Sequence, residues 1–410
     1  MRRFLHAHAT HPDWRIALAL AAAQVEAQRR EPGAASEPSL GWVYYSDHYA
    51  AHAEGLYAEL QQRWPGVDWV GASGVGVAAS GVEYFDEPAL TLLLAELPRD
   101  SFRVFSGAAP LGRFAASTAN VHADPATADL AELIQDMSAR TSSGYLFGGL
   151  AASRTSPSHI ANGVLAGGLS GVAFDRDVAV VSRVTQGCQP FGPLHVVTAA
   201  DGNVVTSLDG APALDCLLRD LQVDGDDPRA ALPRLRQTLV GLSDPNDLLS
   251  DGFAGVSRRG AFGAETRVRH LIGLDTGRRG IAIGDIAEPG MRLAFCHRNV
   301  EAARRDLMRV CAEVREETEP EALTVASAEA LKSAGPGEPA QGPSGIAAAI
   351  YISCAGRGGP HFGAPSAELA IVRHALGDVP LAGFFAAGEI ARHHVYGYTG
   401  VLTVFRAASP

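Results

Sequence analysis

Cys354 and Arg357 stand three residues apart in ISCAGRGG (352–359), where the apolar run that begins at Ile346 breaks into glycine. A thiol at a strand end is a potential nucleophile once a base activates it. His361 or His393 could act as that base, and no spacing in the sequence fixes either of them there. The glycines would let a ligand or another backbone approach closely, and successive N–H groups in such a turn form an anion-binding hollow. Arg357 would add a guanidinium that pairs bidentately with carboxylate or phosphate. The plain alternative is a small buried cysteine before an ordinary turn. A second candidate lies in LAGFFAAGEI (381–390), where an apolar run stops at Gly388 and delivers Glu389 to the end of a buried strand. That carboxylate either pairs internally with an arginine or a turn amide, or faces a ligand and grips an ammonium or amide group.

Other motifs carry less chemistry. ASGVGVAASG (72–81) resembles a phosphate loop but lacks the Lys-Ser/Thr ending and the Gly-x-Gly-x-x-Gly order before a helix. The glycines of GGLAAS (148–153) and LAGGLSG (165–171) are expected to permit close sheet packing or sharp bends. His393 and His394 are adjacent, so in regular structure they diverge and make a poor metal pair. No His, Cys, Asp or Glu cluster has ligand spacing, so neither a metal nor another cofactor is expected. Gly-x-Ser-x-Gly, His-Glu-x-x-His and kinase signatures are missing. His6, His8 and His11 read as a solvated strand or arm.

The elements that must position these residues come from a chain of 410 residues, 47% hydrophobic, long enough for two domains or one large composite. Its formal charge of −11, from 45 acidic and 34 basic residues, comes without a basic run, which argues against nucleic acid. Five scattered cysteines without a Cys-x-x-Cys pair point to a reducing compartment, hence a cytoplasmic protein without structural zinc. Arg2, Arg3 and IALALAAA (16–23) imitate a secretion signal. His6, His8, His11, Pro12 and Asp13 break that pattern, and the spacing predicts an amphipathic helix from Asp13 to about Arg30. No segment reaches the ~18 apolar residues a membrane span needs.

Near the N-terminus the order is strand (41–47), helix (48–64), a Gly-interrupted strand leading into a Gly-rich turn (68–81) and strand (88–97). Near the C-terminus it is a strand into a glycine turn (346–358), helix (365–377) closed by Gly377, strand (381–390) and strand (400–407). Val67–Gly74 aligns with Val379–Ala386, placing Gly71 on Gly383, so the two stretches read as an internal duplication. A weaker echo pairs strands with a following helix, in 163–188 with 207–221 and in 279–299 with 300–314. The expected class is α/β (α+β), layered sheets covered by helices in two pseudo-repeated halves, 1–221 and 222–410. The boundary is placed in the acidic, proline-terminated stretch 220–228. Residues 319–345, mostly Pro, Gly, Ala, Ser and Glu, are expected to be a mobile connector.

DWVGASGVGVAASGVEYFD (68–86), LFGGLAAS (146–153), TQGCQPFGPLHVVTAADGNVVTSLDGAPALD (185–215), SCAGRG (353–358), VPLAGFFAAGEI (379–390) and YTGVLTVF (398–405) together resemble the FIST family, with its N-terminal and C-terminal domains. The resemblance implies a sensory, signal-transducing module that binds small ligands such as amino acids. In eukaryotes the family occurs beside an F-box. No F-box, kinase, cyclase or methyl-accepting segment is expected here, so a stand-alone sensor would signal through surface contacts with a protein partner.

Resemblance and repeat together suggest that the ends after Gly71 and Gly383 converge with the Cys354 turn on one cleft. Glu389 and Arg357 would then flank a zwitterion or other small polar ligand. Ser73, Gly74 and Cys354 would add short contacts, and Tyr398 or Thr399 a hydroxyl. Arg392, His393 and His394 depart from the glycine-containing turn usual at that point of the family. Two other readings stay open: an enzyme with Cys354 as nucleophile or Glu389 as acid/base, and a protein-interaction scaffold.

Overall fold

A computed structural model describes residues 2–223, 228–245, 266–318 and 345–407. The expected connector lies outside these except for Gly345, as does part of the expected boundary at 220–228. The chain divides into two compact units. The first comprises Met1–Thr185, Leu307–Val395 and Thr399–Pro410, and the second comprises Gln186–Asp306 and Tyr396–Tyr398.

The first unit is built on one motif used three times. An opening strand is followed by a crossover helix, a parallel second strand, a hairpin, and a closing strand antiparallel to the first. In repeat I the strands are Leu40–Ser46, Asp68–Gly74 and Ala89–Ala95, with helix Ala53–Arg63 and hairpin Gly76–Ala79/Val82–Phe85. Repeat II has Thr118–Ala123, Tyr145–Leu150 and Leu169–Phe174, with helix Leu130–Ala139 and hairpin His159–Ala161/Val164–Leu165. Repeat III has Ile346–Cys354, Leu381–Ala386 and Thr399–Arg406, with helix Ala367–Leu376 and a turn into strand Glu389–Arg392.

Each hairpin leaves its own sheet and extends a neighbour's. The hairpin of repeat I pairs with Leu381–Ala386 of III, that of II with Asp68–Gly74 of I, and Glu389–Arg392 of III with Tyr145–Leu150 of II. Three six-stranded sheets result, linked in cyclic order. The crossings are sealed by equivalent main-chain bonds: Ala152 N–H to Ser73 O (2.9 Å), Ala387 N–H to Leu150 O (3.1 Å) and Val75 N–H to Phe385 O (3.2 Å).

The inner faces of the sheets meet in aromatic layers. Trp42 packs against Phe4, Phe174 and Phe405, and Tyr44 against His122 and Phe384. Outer faces carry helices, as where Val43, Tyr45 and Leu92 bury against Leu18, Val25 and Leu56. Helix Trp14–Gln28, capped by the Asp13 carboxylate on Arg15 N–H, falls where its spacing predicts. Of the expected solvated strand or arm, the strand is present: His6 and His8, half-buried, lie on the edge strand Leu5–Thr10, paired with Ala89–Ala95. Its free backbone groups are taken by two glutamines one turn apart on that helix. Gln28 bonds both N–H and C=O of His6, and Gln24 does the same for His8. Burial lowers the His6 pKa to about 4.

The second unit is an antiparallel barrel. Strands Arg292–Arg298, His195–Asp201, Val204–Leu208, Gly280–Ile283, Arg267–Asp275 and Leu239–Ser243 pair in that order, and the last closes on the first. Val197, Val205, Val240, Ile281 and Phe295 belong to its core. His195 is held between Asp209 (2.7 Å) and Asp220 (2.9 Å).

Layered sheets covered by helices are thus present. The matched pair at Gly71 and Gly383 is accompanied by a third copy, at Gly148, that sequence reading did not single out. The weaker echo has no counterpart, because its strands divide between a repeat of the first unit and the barrel. The expected strand-and-turn at 68–81 and the expected strand at 381–390 each prove to be two strands. Residues 68–81 split at Val75 and residues 381–390 at Ala387–Gly388, since the chain there passes from one sheet to the next. Glu389 therefore opens a strand and does not end one.

Gly71, Gly148 and Gly383 occupy equivalent positions, where a Cβ would run into the carbonyl oxygen of Val43, Val121 or Tyr351 on the adjacent parallel strand. Gly383→Ala should therefore cost about 3 kcal/mol or more in urea unfolding, by overpacking and backbone displacement. Gly107→Ala, where a Cβ meets open space, should stay within about 1 kcal/mol.

Candidate functional site

In repeat III the strand Ile346–Cys354 runs into a short 3-10 turn, Ala355–Arg357, which returns the arginine beneath the sheet's outer face. Arg357 is 1% exposed and committed to Glu368 on the crossover helix. Its Nε and Nη2 donate to Glu368 Oε1 at 2.8 and 2.6 Å, and Nη1 donates to Thr185 O at 3.4 Å. The same carboxylate accepts from Tyr351 Oη (2.7 Å) and Ser353 Oγ (3.0 Å), and the guanidinium lies 5.1 Å from the Phe362 ring centroid. Burial opposes the Arg357 charge, but Glu368 more than offsets it and holds its pKa above the ordinary value. Gly400 leaves the space in which the Tyr351 hydroxyl reaches Glu368, and Gly358 lies bare against the Phe85 ring.

Glu389 stands opposite Gly149 and has no exposed surface. Its Oε2 accepts from Thr399 N–H (3.2 Å) and Thr399 Oγ1 (2.6 Å), while Oε1 meets no nitrogen or oxygen donor. Burial pushes its pKa up to about 8. The Thr399 hydrogen bonds, the Arg357 charge and a hydrogen bond with the Cys354 thiol pull the other way. At neutral pH most of the carboxyl is therefore protonated. Glu83, in the hairpin of repeat I, exchanges bonds with Ser366, taking its N–H (2.9 Å) and giving a backbone N–H to its hydroxyl (3.0 Å). Burial raises Glu83 to about 7, against hydrogen bonds from Ser366 and Gly359, and the Glu368 charge adds to the rise.

Four of the candidate residues thus come together: Cys354, partly exposed, with Glu389, Thr399 and Arg357. Ser73 is buried and spends its hydroxyl on Ser158 N–H (3.1 Å), and Gly74 lets the strand press against Phe385 O. Tyr398 belongs to the second unit, where its hydroxyl meets His270 Nε2 at 2.8 Å and Arg298 lies over its ring. His361 packs edge-on to Phe362, and His393 against His394. Sequence reading missed Glu368, Tyr351, Ser353 and Glu83. Glu368 carried a signal: with Leu369, Val372 and Leu376 it lies on the buried stripe of its helix, where a carboxylate demands a partner.

Among the described residues no group of three or more His, Cys, Asp or Glu side chains could hold a metal ion, and no helix is long and apolar enough to cross a membrane. The fold is a mixed α/β assembly in which one repeat carries a buried polar cluster. Residues 39–211 match the FIST N domain and residues 213–392 the FIST C domain, so the chain belongs to the FIST family. It is similar to "uncharacterized protein Rv0628c" of Mycobacterium tuberculosis, 30% identical over 424 residues and 97% of each chain. It is also similar to "uncharacterized protein Mb0898c" of Mycobacterium bovis, 29% identical over 416 residues and 97% of each chain. FIST domains are associated in general with sensory signal transduction.

Two stability measurements test this geometry. Glu389 keeps its proton in the folded chain up to about pH 8 but loses it near 4.5 when unfolded. Its contribution is therefore whole below pH 4.5 and declines as pH rises toward 8. Glu389→Gln cannot ionise, so its unfolding free energy relative to the parent should climb from pH 5 to pH 9 in urea titrations, toward a difference on the order of 4 kcal/mol. Arg357→Met should cost about 3–5 kcal/mol by stranding the Glu368 charge, and adding Glu368→Gln should recover part of the loss in urea unfolding.

Proposed function

We propose that the protein is a small-ligand sensor whose ligand is recognised by Glu389. The observation that carries this reading is the Glu389 Oε1 atom, fully buried without a nitrogen or oxygen donor. A buried carboxyl oxygen served by nothing stronger than a thiol costs stability, about 1–3 kcal/mol, unless something supplies a better donor. An ammonium or amide N–H does so, and amino acids, amines and small amides are therefore the ligand class. Access would run past Cys354 and the exposed Ala387, the small residues at this end of repeat III. Arg357 and Glu368 would position the turn that carries Cys354 and not touch the ligand, since the guanidinium is already paired. A cationic ligand favours the ionised carboxyl, so its binding strengthens as pH rises toward 8. Signalling would pass to a protein partner in a reducing, cytoplasmic setting, which suits five free thiols.

A thermal-shift screen with amino acids, amines, amides, nucleotides and carboxylates tests the reading. A ligand at ~100 times its Kd should stabilise the native state by about 2.7 kcal/mol. The shift should grow between pH 7 and pH 9 for an amine and vanish in Glu389→Gln, whose cooperative melting is checked in the same scan. Silence across the screen, or a shift that Glu389→Gln leaves untouched, removes the assignment.

A further inference from the structure

The same site holds one group that non-covalent binding leaves unused, the Cys354 thiol. Cys188, Cys216, Cys296 and Cys311 are buried, and Cys354 is the partly exposed one of the five. Burial pushes the thiols of Cys216, Cys296 and Cys311 up, the last to about 12, which leaves them poor nucleophiles. Around Cys354 the chain carries little bulk. Ala355 and Gly356 follow it, and its partner across the parallel pair is Ala386, with exposed Ala387 next. A second, independent observation points to the same sulfur. Glu389 has no exposed surface, its Oε2 is occupied by Thr399, its Oε1 meets no nitrogen or oxygen donor, and its carboxyl hydrogen-bonds with the Cys354 thiol. A carboxyl shut away from water in this manner has the thiol as its natural proton partner.

We propose that Cys354 and Glu389 act as a thiol–carboxyl pair that exchanges with low-molecular-weight disulfides, so that the site records an oxidised thiol by capturing half of it covalently. The proposal rests on the placement of the ligand site at Glu389, though not on the ligand's being an amine. In the step, the Cys354 sulfur attacks one sulfur of RS–SR. The new Cys354–S–SR bond forms as the old S–S bond breaks. The thiol proton passes to the Glu389 carboxyl in its ionised form, the minor one at neutral pH and the major one above about pH 8, and from there to the departing thiolate, which leaves as RSH. Cys354 is oxidised, one half of the disulfide is reduced, and no further reactant is needed. Charge develops only on sulfur in this reaction, so a nucleophile and a proton carrier suffice, and an excess of small thiol reverses it.

The test uses the full chain, reduced and then freed of reductant, with cystine and dithiobis(nitrobenzoate) as probes. Adduct formation is followed by absorbance and located by peptide mass spectrometry. The expected result is one adduct, on Cys354, reversed by dithiothreitol, with Glu389→Gln reacting slower by about tenfold or more while its melting curve stays cooperative. Should Glu389→Gln fail to fold, Thr399→Val, which strips one hydrogen bond from the same carboxyl, should slow the adduct severalfold. An adduct on another cysteine, or a Cys354 rate that neither substitution changes, overturns the proposal. Cys354→Ser separates this idea from the preceding one. Ligand-induced stabilisation retained in Cys354→Ser, with no exchange in the parent, sinks the thiol pair alone, whereas exchange in the parent without any ligand shift sustains the pair and sinks the amine.

Discussion

The three main-chain bonds from Ala152 to Ser73, Ala387 to Leu150 and Val75 to Phe385 are the constraint on which the first unit depends. At each of them a strand ends and its chain must pass to another sheet, and a backbone group buried there without a partner would cost free energy comparable to a lost hydrogen bond. By closing in a ring, the three bonds satisfy one another's crossings and oblige every hairpin to complete a neighbour's sheet. The second strands must then lie close to their parallel partners, which is why Gly71, Gly148 and Gly383 have no room for a side chain. Glu389 follows from the same geometry. The chain leaves the ring at Ala387–Gly388, and the next side chain it presents is that carboxyl, inward, against Gly149.

Burying a charge beside this frame requires compensation, and repeat III supplies it completely for one pair. Arg357 and Glu368 are each 1% exposed, and the desolvation of both is offset by two direct hydrogen bonds and by Tyr351, Ser353 and the Thr185 carbonyl. The consequence for Glu389 and Glu83 is unequal. Arg357 eases the ionised form of Glu389 from a distance, while Glu368 works against that of Glu83. Two carboxyls that share a neighbourhood with one ion pair thus both titrate far above free glutamate, and burial is the first cause in each.

Much of this frame was legible in residue types. Glycine inside an apolar strand is informative because nothing else fits, and so the match of Gly71 with Gly383 survives as structural equivalence. The third copy was hidden because its opening strand buries Asn120 and His122, polar residues that break an apolar pattern yet find Trp42 Nε1 (3.1 Å) and the Tyr44 hydroxyl (3.2 Å). Only tertiary partners make them core residues. The barrel was illegible for a related reason: it is inserted between the edge strand Val180–Gln186 and the opening strand of repeat III, and it closes through pairings of Arg292–Arg298 with His195–Asp201 and Leu239–Ser243, and of Val204–Leu208 with Gly280–Ile283, strands far apart in sequence. At the site, Glu389 and Thr399 were identified by type, and their direct bond appears only in three dimensions. Arg357 was legible as a cation, but its commitment to Glu368 depends on a helix that returns eleven residues later.

The three repeats also supply an internal comparison. Val77, His159 and Glu389 stand at equivalent positions, each opposite the residue that follows its sheet's close-approach glycine. Valine in the first leaves nothing to satisfy. His159 in the second is buried and fully engaged, with Nδ1 on Ser170 Oγ (2.5 Å) and Nε2 on Gly167 O (3.0 Å). Glu389 in the third is equally buried, and one of its oxygens meets no nitrogen or oxygen donor. A frame that tolerates an apolar residue at this position, and elsewhere pairs a polar one completely, does not require an open carboxyl for folding. That oxygen has no counterpart at this position in the other two repeats, and it is the atom the proposed ligand would engage.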